Sequence, residues 1–193
     1  MKKRQFLGVA ALAGGALPAF AASPARALAG PALLTVTGAI AAPNRGPFDA
    51  FRDQMMHKQQ LTFTKAFVFD FAMLAALPAQ DIAPTLEYDG KVHRLRGPLL
   101  MDVLAAAGAR MDGAAPLLLR AVDGYASTVP LAQARARRMI VATHLDGHPM
   151  ALGGLGPLWA LHDADRISEL AALPLGQRFA NCPWALYHID VPG

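Results

Sequence analysis

Beyond position 28 the chain alternates short apolar runs with clusters of turn residues. Leu33-Leu34-Thr35-Val36-Thr37-Gly38 predicts a first strand, ended by the turn cluster Pro43-Asn44-Arg45-Gly46. Phe48 to Gln60 is polar and Met-rich without a clear period, and Leu61-Thr62-Phe63-Thr64 alternates as a strand does. Asp70 reads as the N-cap of a short helix, Phe71 to Leu77, stopped by Pro78. Asp81 to Tyr88 and Lys91 to Arg96 predict two strands of a hairpin. They flank Asp89-Gly90, a pair that accepts the positive φ of a tight two-residue turn.

The second half repeats the pattern. Gly97-Pro98 predicts a strand break followed by a helix whose apolar face is Leu99, Leu100, Val103, Leu104 and Ala107, closed by Gly108. Pro116 to Val122 has the length of a buried strand. Asp123-Gly124 turns it into Tyr125 to Val129, and a short helix follows over Leu131 to Arg137. Met139 to His144 predicts another buried strand, Asp146-Gly147 another hairpin turn, and Gly153 to Pro157 a loop. Leu158 to Leu161 is a strand, Ile167 to Leu173 a helical turn, and Trp184 to Val191 an alternating last strand. Many strands with a few short helices between them define an α+β class, expected as a mixed, barrel-like sheet core in one domain over 28–193.

The 193 residues, 54% of them hydrophobic, suffice for one full core. Residues 1–27 read separately as a bacterial export signal. Lys2-Lys3-Arg4 is a basic start, Phe6 to Phe20 an apolar stretch, and small-x-small sites end at Ala21 and Ala27. The apolar stretch falls short of the ~18 residues of a membrane span, so a membrane contact is expected only if the leader stays uncut. Lys3-Arg4-Gln5-Phe6-Leu7 is one residue short of a twin-arginine motif. The expected location is the periplasm or outside the cell.

Removing the leader changes the charge argument. Four of the 18 Lys and Arg residues precede position 28 and none of the 14 acids does, leaving 14 bases against 14 acids. A nucleic-acid partner loses the basic field it needs. Arg135, Arg137 and Arg138 read as a solvated helix end. The single cysteine, Cys182, allows no intrachain disulfide and reads as a small buried hydrophobe, with a free nucleophile, a metal thiolate and an intermolecular bridge as its other roles. His144 and His148 flank a turn, and His162-Asp163-Ala164-Asp165 reads as a polar turn with an N-cap. Neither matches a zinc or iron spacing. Gly153-Gly154-Leu155-Gly156 suits a loop rather than a phosphate cradle, and Ser127 and Ser168 lack a nucleophile-elbow context.

Thr85-Leu86-Glu87-Tyr88-Asp89-Gly90-Lys91 resembles the segment of the sulfite oxidase family that carries the molybdenum-ligating cysteine, Thr-Leu-x-Cys-x-Gly-Asn. Thr85, Leu86 and Gly90 match, whereas Tyr88 stands at the cysteine and Lys91 at the asparagine. Further segments are similar to that family in the same order: Phe69-Asp70-Phe71 to Pro78, Arg96 to Gly108, Asp123-Gly124-Tyr125, and Gly156-Pro157-Leu158-Trp159 with the ending Trp184 to Val191. Together they cover 33 to 191 and look most like short exported members.

The resemblance implies the molybdopterin-binding fold and, in the family's enzymes, a molybdenum-pterin cofactor that moves oxygen atoms or electrons. Tyr88 removes the thiolate that holds the metal, since a phenol with a pKa near ~10 replaces a soft sulfur. Trp159 stands where larger members have an arginine. The expectation is therefore a domain without bound cofactor, with a pocket near Glu87, Tyr88, Asp123, Tyr125 and Trp159. The rings would form a stacking surface and Arg94 or Arg96 an anion contact. The expected partner is a small anionic or aromatic ligand, or a periplasmic protein. The alternative is a molybdopterin-dependent oxidoreductase with a non-cysteine metal environment.

Overall fold

In the computed structural model, residues 28–113 and 115–193 are described, and the expected export signal over 1–27 lies outside them. The largest sheet contains β1 (Leu34–Gly38), β2 (Phe67–Phe69), β5 (Leu117–Ala121), β6 (Ala126–Val129) and β11 (Leu186–Val191), in the order β2-β1-β11-β5-β6. The last strand thus slots beside the first, and β1 and β11 run parallel while the other neighbours are antiparallel. A second sheet has the order β3 (Ala79–Ile82), β4 (Leu95–Pro98), β8 (His144–Leu145) and β9 (His148–Pro149). β7 (Ile140–Ala142) pairs with β10 (Trp159–Leu161) as a third, two-stranded sheet.

The class is α+β, as the pattern predicted, but the sheets do not close into a barrel. β2 and β6 end one sheet, β3 and β9 another, and no ladder joins these edges. Closure needs a continuous stagger around all strands. Here the strands are two to six residues long, and β9 ends in Pro149, which has no N–H to extend a ladder.

Helices fill the connections. α1 (Gln54–Lys58) interrupts the stretch that had no clear period, and α2 (Phe71–Ala75) starts where Asp70 caps it, its Oδ1 accepting the Met73 N–H at 2.7 Å. α3 (Leu100–Ala106) buries Leu100, Val103 and Leu104 under the sheets, and Gly108 follows it at a φ of +65°. α4 (Leu131–Ala136) and α5 (Ser168–Ala171) are single turns or little more. Among the described residues no helix is long and apolar enough to cross a membrane.

One large core lies between the sheets and α3. It takes Leu34 and Val36 from β1, Leu117 and Leu119 from β5, and Leu186 and Ile189 from β11. Three local expectations change. Leu61 to Thr64 is not a strand, because the Leu61 N–H bonds back to Met56 and the Phe63 carbonyl accepts from Phe48. Leu61 instead joins Met56 and Tyr187 in a smaller core, with Phe63 packed against it. β11 does not alternate cleanly, since a bulge between Leu186 and His188 shifts its register. Leu186 and Ile189 therefore share the main core while Tyr187 joins the small one. His188 is buried, its Nε2 within 2.9 Å of the Thr37 hydroxyl and its Nδ1 within 3.2 Å of Arg120.

Third, Gly97-Pro98 does not break a strand. Both residues pair with β3, Gly97 opposite Gln80 and Pro98 opposite Ala79, beyond the point where β8 leaves β4. Gly97 is needed for a close approach: a β-carbon there would lie 2.0 Å from the Val141 carbonyl oxygen and 2.7 Å from the Ala142 Cα. Those neighbours are backbone and cannot rotate away. Gly97→Ala should therefore lower stability by roughly 3 kcal/mol, the upper range for overpacking a tight core. Urea unfolding of the variant checks this, and a loss under about 0.5 kcal/mol would show that β4 and β7 do not pack this closely.

Candidate functional site

The hairpin between β3 and β4 supplies one wall of the site. Its regular ladder stops at Ile82 and Leu95, and only a single bridge, Thr85 to Val92, continues toward the tip. The tip is wider than the two-residue turn expected from Asp89-Gly90. The Leu86 N–H bonds to the Lys91 carbonyl at 2.9 Å and the Gly90 N–H to the Leu86 carbonyl at 3.0 Å, which leaves Glu87 to Gly90 as a four-residue loop. Gly90 takes the positive φ, +69°, and Asp89 accepts the Lys91 N–H. Glu87 and Tyr88 project from this loop, Tyr88 at 55% exposure.

Opposite the tip stands the segment after β10. Asp165 lies in a 3₁₀ turn, Ala164–Arg166, and its Oδ2 accepts both the N–H and the hydroxyl of Thr85, at 2.6 and 2.7 Å. Its Oδ1 accepts from Arg178 at 2.7 Å, and Arg178 also donates to the carbonyls of Leu173 and Ala171. Burial alone would raise the Asp165 pKa, but the Thr85 donors and Arg178 hold it below the usual carboxylate range. This clamp fixes the hairpin tip against residues 164–182, 80 positions away. The short polar run at 162–165 pointed to a capped turn, and nothing local marked Asp165 as a long-range anchor.

Between the two walls is a cavity of about 220 Å³. Glu87, Tyr88, Asp123, Tyr125 and Trp159 all line it, so five of the residues singled out in the sequence come together. Phe179, Cys182 and Trp184, with Ala121, Ala180 and Pro183, complete the lining and were not anticipated as site residues. Trp159 is 1% exposed, and its indole Nε1 donates to the Cys182 carbonyl at 2.8 Å. Its ring centroid lies 6.4 Å from Tyr88 and 6.0 Å from Phe179, tilted by 53° and 54°. The Tyr125 hydroxyl donates to the Ala180 carbonyl, and the Tyr125 N–H donates to Asp123 at 2.9 Å. Partial burial and the Glu87 carboxylate raise the Tyr88 phenol above its ordinary pKa.

Arg94 and Arg96 do not reach this cavity. Both face Asp81, at 3.1 and 2.8 Å, across the β3–β4 pair. The register that sets Arg96 opposite Asp81 sends both guanidinium groups away from the Tyr88 side of the hairpin. The anion contact expected from them has no counterpart in the lining. His93 sits behind the tip, bridging Asp146 at 2.7 Å and Asp89 at 3.1 Å.

Cys182 is buried beside His162, Sγ to Nδ1 at 3.6 Å. Burial pushes the thiol up to about 12 and the imidazole down to about 4. A reactive cysteine needs the opposite shift, toward thiolate, so this pair is not a nucleophile and its base. Among the described residues no three His, Cys, Asp or Glu side chains form a metal-ligating group.

No family model matches the chain, and no curated protein does. The fold is similar to part of the sulfane dehydrogenase SoxCD from Paracoccus pantotrophus, at 11% identity with a TM-score of 0.51. The match covers 82% of this chain and 37% of the SoxCD chain. At that identity the likeness is one of fold.

Two outcomes test the site's construction. Asp165→Ala should cost roughly 1–3 kcal/mol, because it strands the Arg178 guanidinium and the Thr85 N–H in a partly buried place. Near-UV circular dichroism should change with it, as Tyr88 loses its fixed position beside Trp159. An unchanged spectrum and stability would remove the clamp. The buried imidazoles set the pH response. His162 and His188 both titrate near about 4 in the folded chain, burial being the main cause, against ~6.5 when unfolded. The unfolded state then binds more protons below ~6.5, so stability should fall as pH drops from there toward 4. Thermal melts across that window read it, and a flat midpoint would contradict it.

Proposed function

We propose that this chain is an exported domain that binds a small ligand on a sulfite-oxidase-type scaffold and works in the periplasm or outside the cell without catalytic molybdenum. The observation that carries the reading is the cavity itself. Five aromatic side chains from distant parts of the chain converge on one opening: Tyr88, Tyr125, Trp159, Phe179 and Trp184. Ligand sites combine such apolar walls with a few polar groups, and here those groups are Glu87 and Asp123. Exposed Tyr88, Tyr125 and Trp184 at the rim would equally serve a small side chain presented by a partner protein.

The donor set argues against the cofactor that the resemblance implies. The position of the ligating cysteine holds a phenol whose proton is bound more tightly than in free tyrosine. The nearby sulfur, Cys182, stays a thiol because burial lifts its pKa to about 12. A pterin phosphate needs cations or free N–H groups, whereas the lining offers two carboxylates and no lysine or arginine. A volume of about 220 Å³ is also below the ~300–1,000 Å³ usual for a drug-sized ligand.

Protein purified from the periplasm of its own host decides between the readings. Elemental analysis should find molybdenum far below one atom per chain, and intact mass should show a cut after Ala21 or Ala27. Stoichiometric molybdenum would establish the alternative, a molybdopterin-dependent oxidoreductase. A metabolite screen should find a compound that raises the melting temperature, since a ligand at about 100 times its Kd adds ~2.7 kcal/mol.

A further inference from the structure

The cavity beside Tyr88 also constrains the charge of its ligand. We propose that it takes a small organic cation, an alkylated ammonium group held against aromatic ring faces and balanced by Glu87 and Asp123. The proposal rests on the ligand-binding reading above and names its chemical class.

Three features of the lining converge on this class. The first is what the rings offer. The Trp159 indole N–H is spent on the Cys182 carbonyl and the Tyr125 hydroxyl on Ala180. Those two side chains therefore have no donor left for a ligand; Tyr125 offers ring surface at the rim, and Trp159, 1% exposed, backs the cavity from within. A ring face carries the negative part of the aromatic quadrupole and attracts cations, most strongly for tryptophan. The second is arrangement. Trp159 is inclined by more than 50° to both Tyr88 and Phe179, so these rings meet as angled walls rather than a flat stack. A flat aromatic ligand favours parallel faces, and a rounded ammonium group favours angled walls.

The third is charge. The lining contains two carboxylates and no lysine or arginine. Lys91, in the tip itself, lies 3.9 Å from Asp89 and is not part of the lining, and Arg94 and Arg96 are occupied by Asp81 on the other side of the β-pair. Arg178 is held by Asp165 and two carbonyls. A phosphate, sulfate or carboxylate ligand would meet two carboxylates and no cationic side chain. A cation gains an attraction to both that a neutral ligand lacks. The modest volume suits a single ammonium headgroup with a short substituent.

Choline and tetramethylammonium are suitable probes, with 3,3-dimethyl-1-butanol as the uncharged isostere of choline and sulfate as the anion. Titration calorimetry and quenching of tryptophan fluorescence on the full chain are the readouts. Choline should bind at least tenfold more tightly than its neutral isostere, and sulfate should not compete. Tyr88→Ala and Glu87→Gln should each weaken choline binding by about tenfold. Both residues are exposed at the rim, so the melting temperature of each variant should match the parent's and rule out misfolding. Equal binding of choline and the isostere would overturn the cation proposal while leaving a ligand site in place. Absence of choline binding, with a neutral compound from the metabolite screen quenching the same tryptophans, would do the same. If neither the probes nor that screen yields a binder, the ligand-binding reading falls with it.

Discussion

One carboxylate, that of Asp165, holds the two halves of the site together. Its two oxygens divide the work: one takes both donors of Thr85 at the root of the hairpin tip, the other takes Arg178. Arg178 passes the constraint on through the carbonyls of Ala171 and Leu173. Charge-assisted bonds of this kind are stronger than neutral ones, and partial burial shields them from water. Without them the tip would be tied to the molecule by the buried Leu86, by His93 on Asp146 and by its own short ladder, which ends at Ile82 and Leu95. The separation between Tyr88 and Trp159 is thus set by that contact on the hairpin side and by the β7–β10 pairing on the other.

Much of the framework could be read from local chemistry. Asp70 is an N-cap because a carboxylate before an apolar turn has an unsatisfied N–H to accept, and Met73 supplies it. Asp123-Gly124 and Asp146-Gly147 turn hairpins because Gly124 and Gly147 take the positive φ values that those turns need. What escaped was non-local. The bulge at Leu186–His188 breaks an alternation that the residues themselves display, because β11 must satisfy a core on each face. Leu61 to Thr64 alternates like a strand, yet no neighbouring strand offers it a ladder. The barrel expectation failed for the same reason: closure is a property of strand edges meeting, and periodicity along one strand carries no information about its distant neighbour.

The site divides along the same line. Glu87, Tyr88, Asp123, Tyr125 and Trp159 were legible together because they sit in segments whose order resembles a known family. Arg94 and Arg96 are only six and eight residues from Tyr88, and nearness in sequence misled. In a hairpin, side chains a few residues past the turn are directed by pleat and register, and here the register sets them on Asp81. Phe179, Cys182 and Trp184 were invisible as lining because the clamp that brings their segment into place joins residues 80 and 13 positions apart.

Position 88 also shows how the hairpin tip can carry different side chains without being rebuilt. The loop from Leu86 to Lys91 is closed by main-chain bonds and by Asp89, with Gly90 absorbing the positive φ. None of these contacts uses the side chain at 88, which lines the rim of the cavity and stays 55% exposed. Thr85 and Leu86, in contrast, are structural: one is gripped by Asp165 and the other is buried in the core. A substitution at position 88 would therefore cost the fold little while changing the chemistry of the opening. Tyr88 places an aromatic ring 6.4 Å from Trp159, with Glu87 beside it.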